Sequence, residues 1–348
     1  MRVGSDIYIN RPLYINNSKK NNEINFSGIK DPSLKCMFVF DLDGTLANGT
    51  ADEINLIIKT TKQRNADLIY ATGRNLQEVE KLQQKLAKKG ITLPTPDYLV
   101  CANGQFVYEN IDGILVKDTH YEELLRAKTN FDSEKVLKVM HKLANSDKYL
   151  FSEEQLSALN KLPDYQEIKA NDPDFYKSKI SYYEWNPSEF MSEYFVSSDV
   201  HLKSLKKDIK ETLMDSGIKT KFIENQYSKQ IMDACKESIL LQSNPLRRHQ
   251  DGGMTALFLC PADKADGIKY LKEKLNVPYN EILMAGNDNN DTSMAELSKK
   301  GAYFICLNNS SDMLKNLSVS LKKFTNSLFT ATKNGAQGIL EGISEIIE

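Results

Sequence analysis

Two carboxylates one residue apart follow a short apolar run near residue 40. The segment CMFVFDLDGTL, residues 36–46, places Asp41 and Asp43 directly after that run. A continuous apolar run stopped by turn-forming residues is typical of a parallel strand that is buried on both faces. One carboxylate can attack phosphorus while the other moves protons, which indicates phosphoryl transfer through an aspartyl-phosphate. An ordinary Asp- and Gly-rich turn is the structural alternative for this segment taken alone.

Three further polar sites also follow apolar runs. They are Thr72 with Gly73 after residues 67–71, Lys264 after residues 256–260, and the Asn- and Asp-rich segment 287–291 after residues 282–285. A threonine and free amides at a helix start can bind phosphate, and a lysine can neutralise it. Carboxylate and amide oxygens suit Mg²⁺ better than zinc or copper. The structural alternatives are a plain strand-to-helix turn, a solvated lysine and an ordinary loop.

The elements that must position these residues form an α/β pattern. Apolar strands and amphipathic helices alternate at both ends of the chain, whereas residues 121–253 mix helices with short two-faced strands. We therefore predict a doubly wound parallel-sheet, Rossmann-like core from residues 35–120 and 254–348. Residues 121–253 form an inserted α+β cap domain, and residues 1–34 form a polar tail. In an open α/β sheet, ligands bind at the carboxyl ends of the strands, where all four polar sites fall.

Composition excludes several classes of protein. With 45 basic and 47 acidic residues in a chain of 348, nothing indicates binding to nucleic acid or to an anionic membrane. No apolar segment approaches the roughly 20 residues of a membrane span. The five cysteines are scattered without a CxxC pair, which favours reduced thiols in the cytoplasm over a disulfide framework or a zinc site. The four histidines show no ligand spacing.

The order of the motifs resembles that of the haloacid dehalogenase superfamily. The four matching motifs are DLDGT at residue 41, ATGR at residue 71, Lys264, and GNDNND at residue 286. The segments PDYLVCANGQFVY, KISYY, FLCPADK and AQGILEGI are also similar to segments of sucrose-phosphate phosphatases, whose large cap follows the third core strand. The resemblance covers the chain from about Cys36 to its end.

The resemblance implies a role for each motif residue. Asp41 is the expected nucleophile, and Asp43 the acid that protonates the leaving alcohol and later activates water. Thr72, Gly73 and Lys264 hold the phosphoryl oxygens, and Asn290 bonds the phosphate or positions a metal-bound acid. The cofactor is Mg²⁺, which offsets repulsion between two anions. Its expected ligands are Asp41, Asp43 through its carbonyl, Asn287, Asp288 and Asp291.

One position departs from the superfamily pattern GDxxND. Asn287 stands where that pattern has an aspartate, so a neutral amide supplies the oxygen. Asp288 is adjacent and Asp291 is retained. We therefore expect weaker Mg²⁺ binding without loss of activity.

The cap is expected to select the substrate by covering the site. Lys179 matches a lysine in the cap segment of sucrose-phosphate phosphatases and is the expected substrate contact, with Lys177 as the second candidate. Alternation along KSKISYYE would put both lysines on one face of a strand. A solvent-facing strand is the structural alternative.

The sequence thus predicts a Mg²⁺-dependent phosphatase acting on a phosphorylated sugar or a similar small metabolite. A phosphomutase of the same superfamily would use the same Asp41 and Asp43 but return the phosphoryl group to the sugar. A non-catalytic binding or regulatory protein with this fold is the third reading, which Asn287 and the unusual tail favour. The presence of both aspartates, the threonine and the lysine weighs against it.

Overall fold

The strands that the structure describes form two sheets. The computed structural model describes residues 35–161, 170, 177–188, 190–197, 199–227 and 254–347. The expectations for the tail 1–34 and for residues 228–253 lie outside this part of the chain. The strands are β1 Cys36–Phe40, β2 Ala66–Ala71, β3 Tyr98–Cys101, β4 Phe106–Ile111, β5 Ile114–Lys117, β6 Ile180–Ser188, β7 Met191–Ser197, β8 Lys221–Tyr227, β9 Met254–Cys260, β10 Ile282–Gly286, β11 Tyr303–Cys306 and β12 Leu328–Thr330.

Helices connect and cover these strands. The helices are α1 Ala51–Gln63, α2 Leu76–Ala87, α3 Thr119–Thr129, α4 Ser133–Ala144, α5 Glu153–Leu159, α6 Leu202–Met214, α7 Lys264–Lys274, α8 Thr292–Ala295, α9 Asp312–Leu321 and α10 Gly335–Ile347. Local sequence sets several starts, since Thr50, Asn75 and Asp263 each cap a helix in a reciprocal box with an acidic residue three positions on. In the described part of the chain, no helix is long and apolar enough to cross a membrane.

The larger sheet has the strand order β12-β11-β10-β1-β2-β3-β4-β5. The strands from β12 to β3 are parallel, and the β4–β5 hairpin adds two antiparallel strands at one edge. From β1 the chain extends the sheet first through β2 and β3, and later through β10 and β11 on the other side. The crevice at the carboxyl ends of β1 and β10 is therefore the topological switch point where ligands bind in such sheets.

Both faces of β1 are buried, as its continuous apolar run predicts. Phe38 and Phe40 pack into a cluster with residues of α1, α2 and α10, whereas Met37 and Val39 pack into a second cluster with α3, α7, α8 and α9. None of these four side chains is exposed. The α/β fold with a doubly wound, mostly parallel sheet is confirmed, and its central strand presents Asp41 at the switch point.

The smaller sheet is antiparallel with the order β6-β7-β9-β8, and it packs on α4 and α6. The expectation that residues 256–260 form a core strand is wrong, because β9 pairs with β7 and β8. An apolar run of this length indicates a buried strand but not which sheet it joins. The predicted core segment 254–348 therefore begins with one strand of the smaller sheet.

The strand predicted in KSKISYYE begins later in the chain than expected and extends to Ser188. Strand β6 begins at Ile180, so Lys177 and Lys179 precede it and do not alternate along one of its faces. The carbonyl of Lys179 accepts from the Ser197 N–H, which continues the β6–β7 pairing by one residue, whereas its N–H donates to the Tyr149 carbonyl. Lys179 therefore stands at the end of the β6–β7 pairing, directly before β6.

Candidate active site

Asp41 lies at the carboxyl end of β1, almost fully buried. Its N–H donates to the carbonyl of Ala285 at 3.1 Å, which continues the β1–β10 pairing by one residue. The chain then turns through Gly44, whose φ of +71° favours glycine. The Asp41 carbonyl accepts from the Leu46 N–H at 3.1 Å and closes the turn. The turn fixes Asp41 at the switch point while the side chain of Asp43 stays more than half exposed.

Lys264 lies between two buried carboxylates. Its Nζ is 2.8 Å from Asp41 Oδ1 and 2.6 Å from Asp291 Oδ1, and no part of its side chain is exposed. Lys264 is the first residue of α7, directly after the capping Asp263. A buried lysine requires opposite charge to remain ionised, and this one has two partners. The solvated-lysine reading of this position is therefore excluded.

The charges of this cluster alter its proton affinities. The pKa of Asp41 is raised to about 7, chiefly because burial removes water from the carboxylate. Lys264 opposes that rise, whereas the negative charge of Asp291 adds to it. Burial alone would lower the pKa of Lys264, but the charges of Asp291 and Asp41 outweigh burial and raise it above its ordinary value. Lys264 is therefore a permanent cation, and the cluster still carries an excess of carboxylate charge.

Thr72 and Gly73 lie at the end of β2, beside this cluster. Thr72 is fully buried and its N–H donates to the Val100 carbonyl at 2.9 Å. Its hydroxyl accepts the Arg74 N–H at 3.2 Å and can donate its own proton to an anion. A Cβ on Gly73 would lie 3.2 Å from Asn103 Oδ1 and 3.4 Å from Asn290 Nδ2, so a side chain there would crowd both amides.

The turn after β3 joins the threonine loop to the 287–291 segment. The Asn103 N–H donates to the Thr72 carbonyl at 3.0 Å, and Asn103 Oδ1 accepts from Asn290 at 3.0 Å. Ala102, Asn103 and Gly104 all have positive φ, a conformation that glycine adopts freely, asparagine adopts more often than most residues, and alanine adopts rarely. Asn103 is not among the residues predicted for the site, although its place after a buried strand leaves such a role open. The Asn-Gly pair at a strand end was the available signal, but it reads equally well as a hairpin turn.

The 287–291 segment is organised around Asp291. Asp291 Oδ2 accepts the N–H groups of Asn287 at 2.8 Å and Asp288 at 3.0 Å, while its other oxygen accepts from Lys264. Asn287 Oδ1 accepts the Thr45 hydroxyl at 2.7 Å, which ties this segment to the first turn. Asp288 is exposed and its Oδ1 accepts from the Asn289 N–H. The segment thus brings Asp291 and Asn287 to the cluster. The side chain of Asp288 binds within its own turn instead.

Some of the oxygen atoms at this site are suitable ligands for a hard cation such as Mg²⁺. Within the described ranges, no group of three or more His, Cys, Asp or Glu side chains is arranged to hold a metal ion. Mg²⁺ keeps several waters and needs only one or two carboxylates together with substrate oxygens. The carboxylates of Asp41 and Asp291 outnumber the single cation Lys264 between them, and this arrangement fits a further bound cation. Asp41, the Asp43 carbonyl and the Asn287 segment are therefore candidate ligands.

Lys179 lies in the part of the chain that carries the smaller sheet. Its Nζ is 2.7 Å from Asp199 Oδ2, and its side chain is one-fifth exposed. The structure thus brings Asp41, Thr72, Gly73, Lys264, Asn290 and Asp291 together, and gives Lys179 an acidic partner of its own. A substrate contact by Lys179 stays a prediction.

A cavity of about 410 Å³ lies where the smaller sheet meets the core. Phe222 and Glu224 of β8 line one side, and Asn289, Asn290 and Ser293 line the other. The Asn289 side chain donates to the Glu224 carbonyl at 3.4 Å across this boundary. The cavity adjoins Asn290 and has the size of a pocket for a small molecule.

Comparison with known proteins agrees with this geometry. Residues 38–327 match the sequence profile of the haloacid dehalogenase-like hydrolases. No curated protein gives a significant sequence match. The solved structure of a Synechocystis sucrose-phosphatase with sucrose and phosphate matches with a TM-score of 0.54 and 18% identity, over 89% of this chain and 97% of that one.

A second solved structure is a haloalkanoate-superfamily phosphatase from Bacteroides thetaiotaomicron. It matches with a TM-score of 0.48 and 12% identity, over 92% of this chain and 98% of that one. At these identities the structural likenesses concern the fold, whereas the family profile spans most of the chain. The chain belongs to the haloacid dehalogenase-like hydrolases.

Proposed function

We propose that the protein is a Mg²⁺-dependent phosphatase that hydrolyses a phosphate monoester of a sugar or a similar small metabolite. The observation that carries this proposal is the buried Asp41–Lys264–Asp291 cluster at the switch point, with Thr72 beside it. It combines a nucleophilic carboxylate with a fixed cation and a hydroxyl donor. Such an arrangement suits a transferring phosphoryl group.

In the first step, an oxygen of Asp41 attacks phosphorus, and the bond from phosphorus to the leaving oxygen breaks. Asp43 gives its proton to that oxygen, which departs as an alcohol. The product is a phosphoryl group carried on Asp41. Lys264 and Thr72 hold the phosphoryl oxygens during transfer, because both groups are already fixed by packing.

In the second step, Asp43 takes a proton from a water molecule, and that water attacks phosphorus. The bond to Asp41 breaks, inorganic phosphate leaves, and both aspartates return to their initial state. A bound Mg²⁺ would supply positive charge between the nucleophile and the substrate dianion. Asp41, the Asp43 carbonyl, Asn287 and Asp291 are the residues that we propose would hold it, and Asp288 is the more remote candidate.

The proposed substrate class rests on the comparison with known proteins, because the cavity beside Asn290 is lined by none of Asp41, Asp43, Thr72 and Lys264. The Synechocystis protein is a sucrose-phosphatase whose structure holds sucrose and phosphate, which favours a phosphorylated sugar here. We propose that residues 121–253, including Lys179, form the cap that selects it, together with β9, which completes the smaller sheet.

The test is phosphate release from a panel of sugar phosphates, nucleotides and an aryl phosphate, with and without Mg²⁺. Asp41→Asn is the blank. We expect Mg²⁺-dependent release from one sugar phosphate, at least about 1000-fold above the blank, since the nucleophile is lost. Conversion between sugar phosphate isomers without stoichiometric phosphate release would indicate a mutase instead. Absence of both reactions would contradict the proposal.

A further inference from the structure

The side chain of Arg74 holds both oxygens of Asp43. Its Nε lies 2.7 Å from Asp43 Oδ2 and its Nη2 lies 2.7 Å from Asp43 Oδ1. The backbone of Arg74 is fixed, because its N–H donates to the Thr72 hydroxyl and its carbonyl accepts the Ala102 N–H at 2.8 Å. Arg74 is therefore a long cationic side chain on an anchored base, two residues from Thr72.

In this arrangement Asp43 cannot act as a proton donor. Both of its oxygens accept guanidinium N–H groups, so within this pair Asp43 donates from neither oxygen. Transfer of a proton from Asp43 requires that the pair separate. The Asp43 side chain is 55% exposed and that of Arg74 is 33% exposed. Water screens a pair at this exposure, so the pair is weak enough to open.

A phosphoryl group is a competing partner for the same guanidinium. Arginine binds phosphate with the same two-pronged geometry that it uses for carboxylate. We propose that Arg74 is exchanged between Asp43 and the substrate phosphoryl group, so that Asp43 is released only when the phosphate site beside Thr72 is filled. This inference rests on the proposed phosphatase function. Arg74 is then a positioning residue. When phosphate binds, Arg74 leaves Asp43, and Asp43 becomes free to act as the acid.

A double-mutant cycle on phosphate binding tests the exchange. Calorimetry with inorganic phosphate, in a buffer containing Mg²⁺, compares the natural protein with Asp43→Asn, Arg74→Gln and the double variant. Asp43→Asn frees Arg74, so we expect phosphate to bind more tightly, by at least about fivefold more than the same change produces in the Arg74→Gln background. The gain in that background reports only the loss of a nearby negative charge. Equal gains in both backgrounds would overturn the proposal.

Kinetics supply a second readout. Arg74→Gln should raise KM for the sugar phosphate and weaken inhibition by inorganic phosphate, while kcat is largely retained because Asp43 is already released. A loss of kcat as large as that of Asp43→Asn, limited to substrates with a poor leaving group, would show that Arg74 only orients Asp43 and would overturn the exchange.

Arg126→Gln is the matched control, because Arg126 also forms an exposed ion pair, with Glu122 at 2.9 Å, and should leave phosphate binding unchanged. If Arg74→Gln does not fold, Arg74→Lys takes its place, since lysine keeps the charge but not the two-pronged contact. The binding cycle needs no turnover. If the binding cycle shows the expected coupling between Asp43 and Arg74 but the protein hydrolyses no ester, the proposed function is contradicted and the exchange is not.

Discussion

The ammonium group of Lys264 lies 2.8 Å from a carboxylate oxygen of Asp41, although 223 positions separate the two residues in the sequence. The contact joins the end of β1 to the start of α7. A buried lysine usually costs stability, but here the carboxylates of Asp41 and Asp291 keep it charged. The same contact holds the cation where charge would develop during phosphoryl transfer.

Replacing Lys264 by methionine tests this arrangement. The variant leaves two buried carboxylates without their cation, so we expect a loss of about 3–5 kcal/mol in the free energy of unfolding. We also expect kcat/KM for a sugar phosphate to fall about 100-fold or more. Urea unfolding and phosphate release measure the two effects. Lys299→Met is the control, because Lys299 forms an exposed pair with Glu296 and should change stability by less than about 0.5 kcal/mol. Equal effects of the two variants would argue against a special role for Lys264.

Gly104 holds the turn after β3 against α7. A Cβ at this position would lie 2.0 Å from the Asp263 carbonyl oxygen, next to Lys264. Gly104→Ala should therefore displace Lys264, with a loss of about 3 kcal/mol of stability or more and at least about tenfold in kcat/KM. Gly113→Ala is the matched control, since Gly113 also has positive φ but nothing lies within 4 Å of the added Cβ. That control should cost only about 1–2 kcal/mol and retain activity. Similar losses in both variants would show that backbone strain alone matters.

Asp41 should make the metal-free protein less stable as the pH rises. Its native pKa is about 7, whereas an unfolded aspartate has a pKa of about 3.9. Between these values the native state holds the proton more tightly than the unfolded chain does, so stability falls with rising pH. The decrease attributable to Asp41 is at most about 4 kcal/mol. Urea unfolding in EDTA at pH 5 and pH 7.5 measures it, and Asp41→Asn should show a smaller decrease. The same decrease in both proteins would refute this assignment.

Asn287 is expected to weaken Mg²⁺ binding. Its Oδ1 already accepts the Thr45 hydroxyl, and a carboxylate at this position can keep that bond while adding negative charge. Asn287→Asp should therefore lower the Mg²⁺ concentration for half-maximal rate, by about threefold or more. Asn308→Asp adds the same charge at an exposed residue and should leave that concentration unchanged. An unchanged metal requirement in Asn287→Asp would remove Asn287 from the proposed ligand set.

Lys179 should contribute to substrate selection. Lys179→Ala should raise KM for the natural sugar phosphate about tenfold, and far more than KM for a small aryl phosphate, since only the larger substrate reaches the cap. Asp199→Asn is the control, because it breaks the same ion pair but keeps the lysine charge. Equal effects on both substrates, or the same effect in Asp199→Asn, would show that the ion pair is structural.

The sequence was sufficient where local pattern determines structure. The apolar run before Asp41 predicts a buried strand, and the polar residues after the parallel strands β1, β2 and β10 fall at one edge of the larger sheet. The fold and the grouping of Asp41, Thr72 and Asp291 follow from that rule. Lys264 instead follows β9 of the smaller sheet and reaches the cluster as the first residue of α7. The rule holds because parallel strands that are buried on both faces have few structural alternatives.

The partner of each strand could not be predicted from the local sequence in the same way. The run Met254–Cys260 reads as a core strand, yet it joins the smaller sheet, because strand partners depend on the whole fold. The Arg74–Asp43 pair depends on how two separate loops meet, and it leaves no local pattern in the sequence. The Asn103–Gly104 pair does leave a pattern, but that pattern reads equally well as a hairpin turn.

The most direct test of the central claim is to trap the phosphoryl group on Asp41. Asp43→Asn, reacted with an aryl phosphate and Mg²⁺ and quenched in acid, is analysed by mass spectrometry. An aryl leaving group needs little acid assistance, whereas attack by water needs the missing base, so the intermediate should accumulate. The account predicts one phosphoryl group on the peptide that contains Asp41, and none when Asp41→Asn is added. Turnover by the natural protein with no phosphorylated Asp41 peptide would contradict the account.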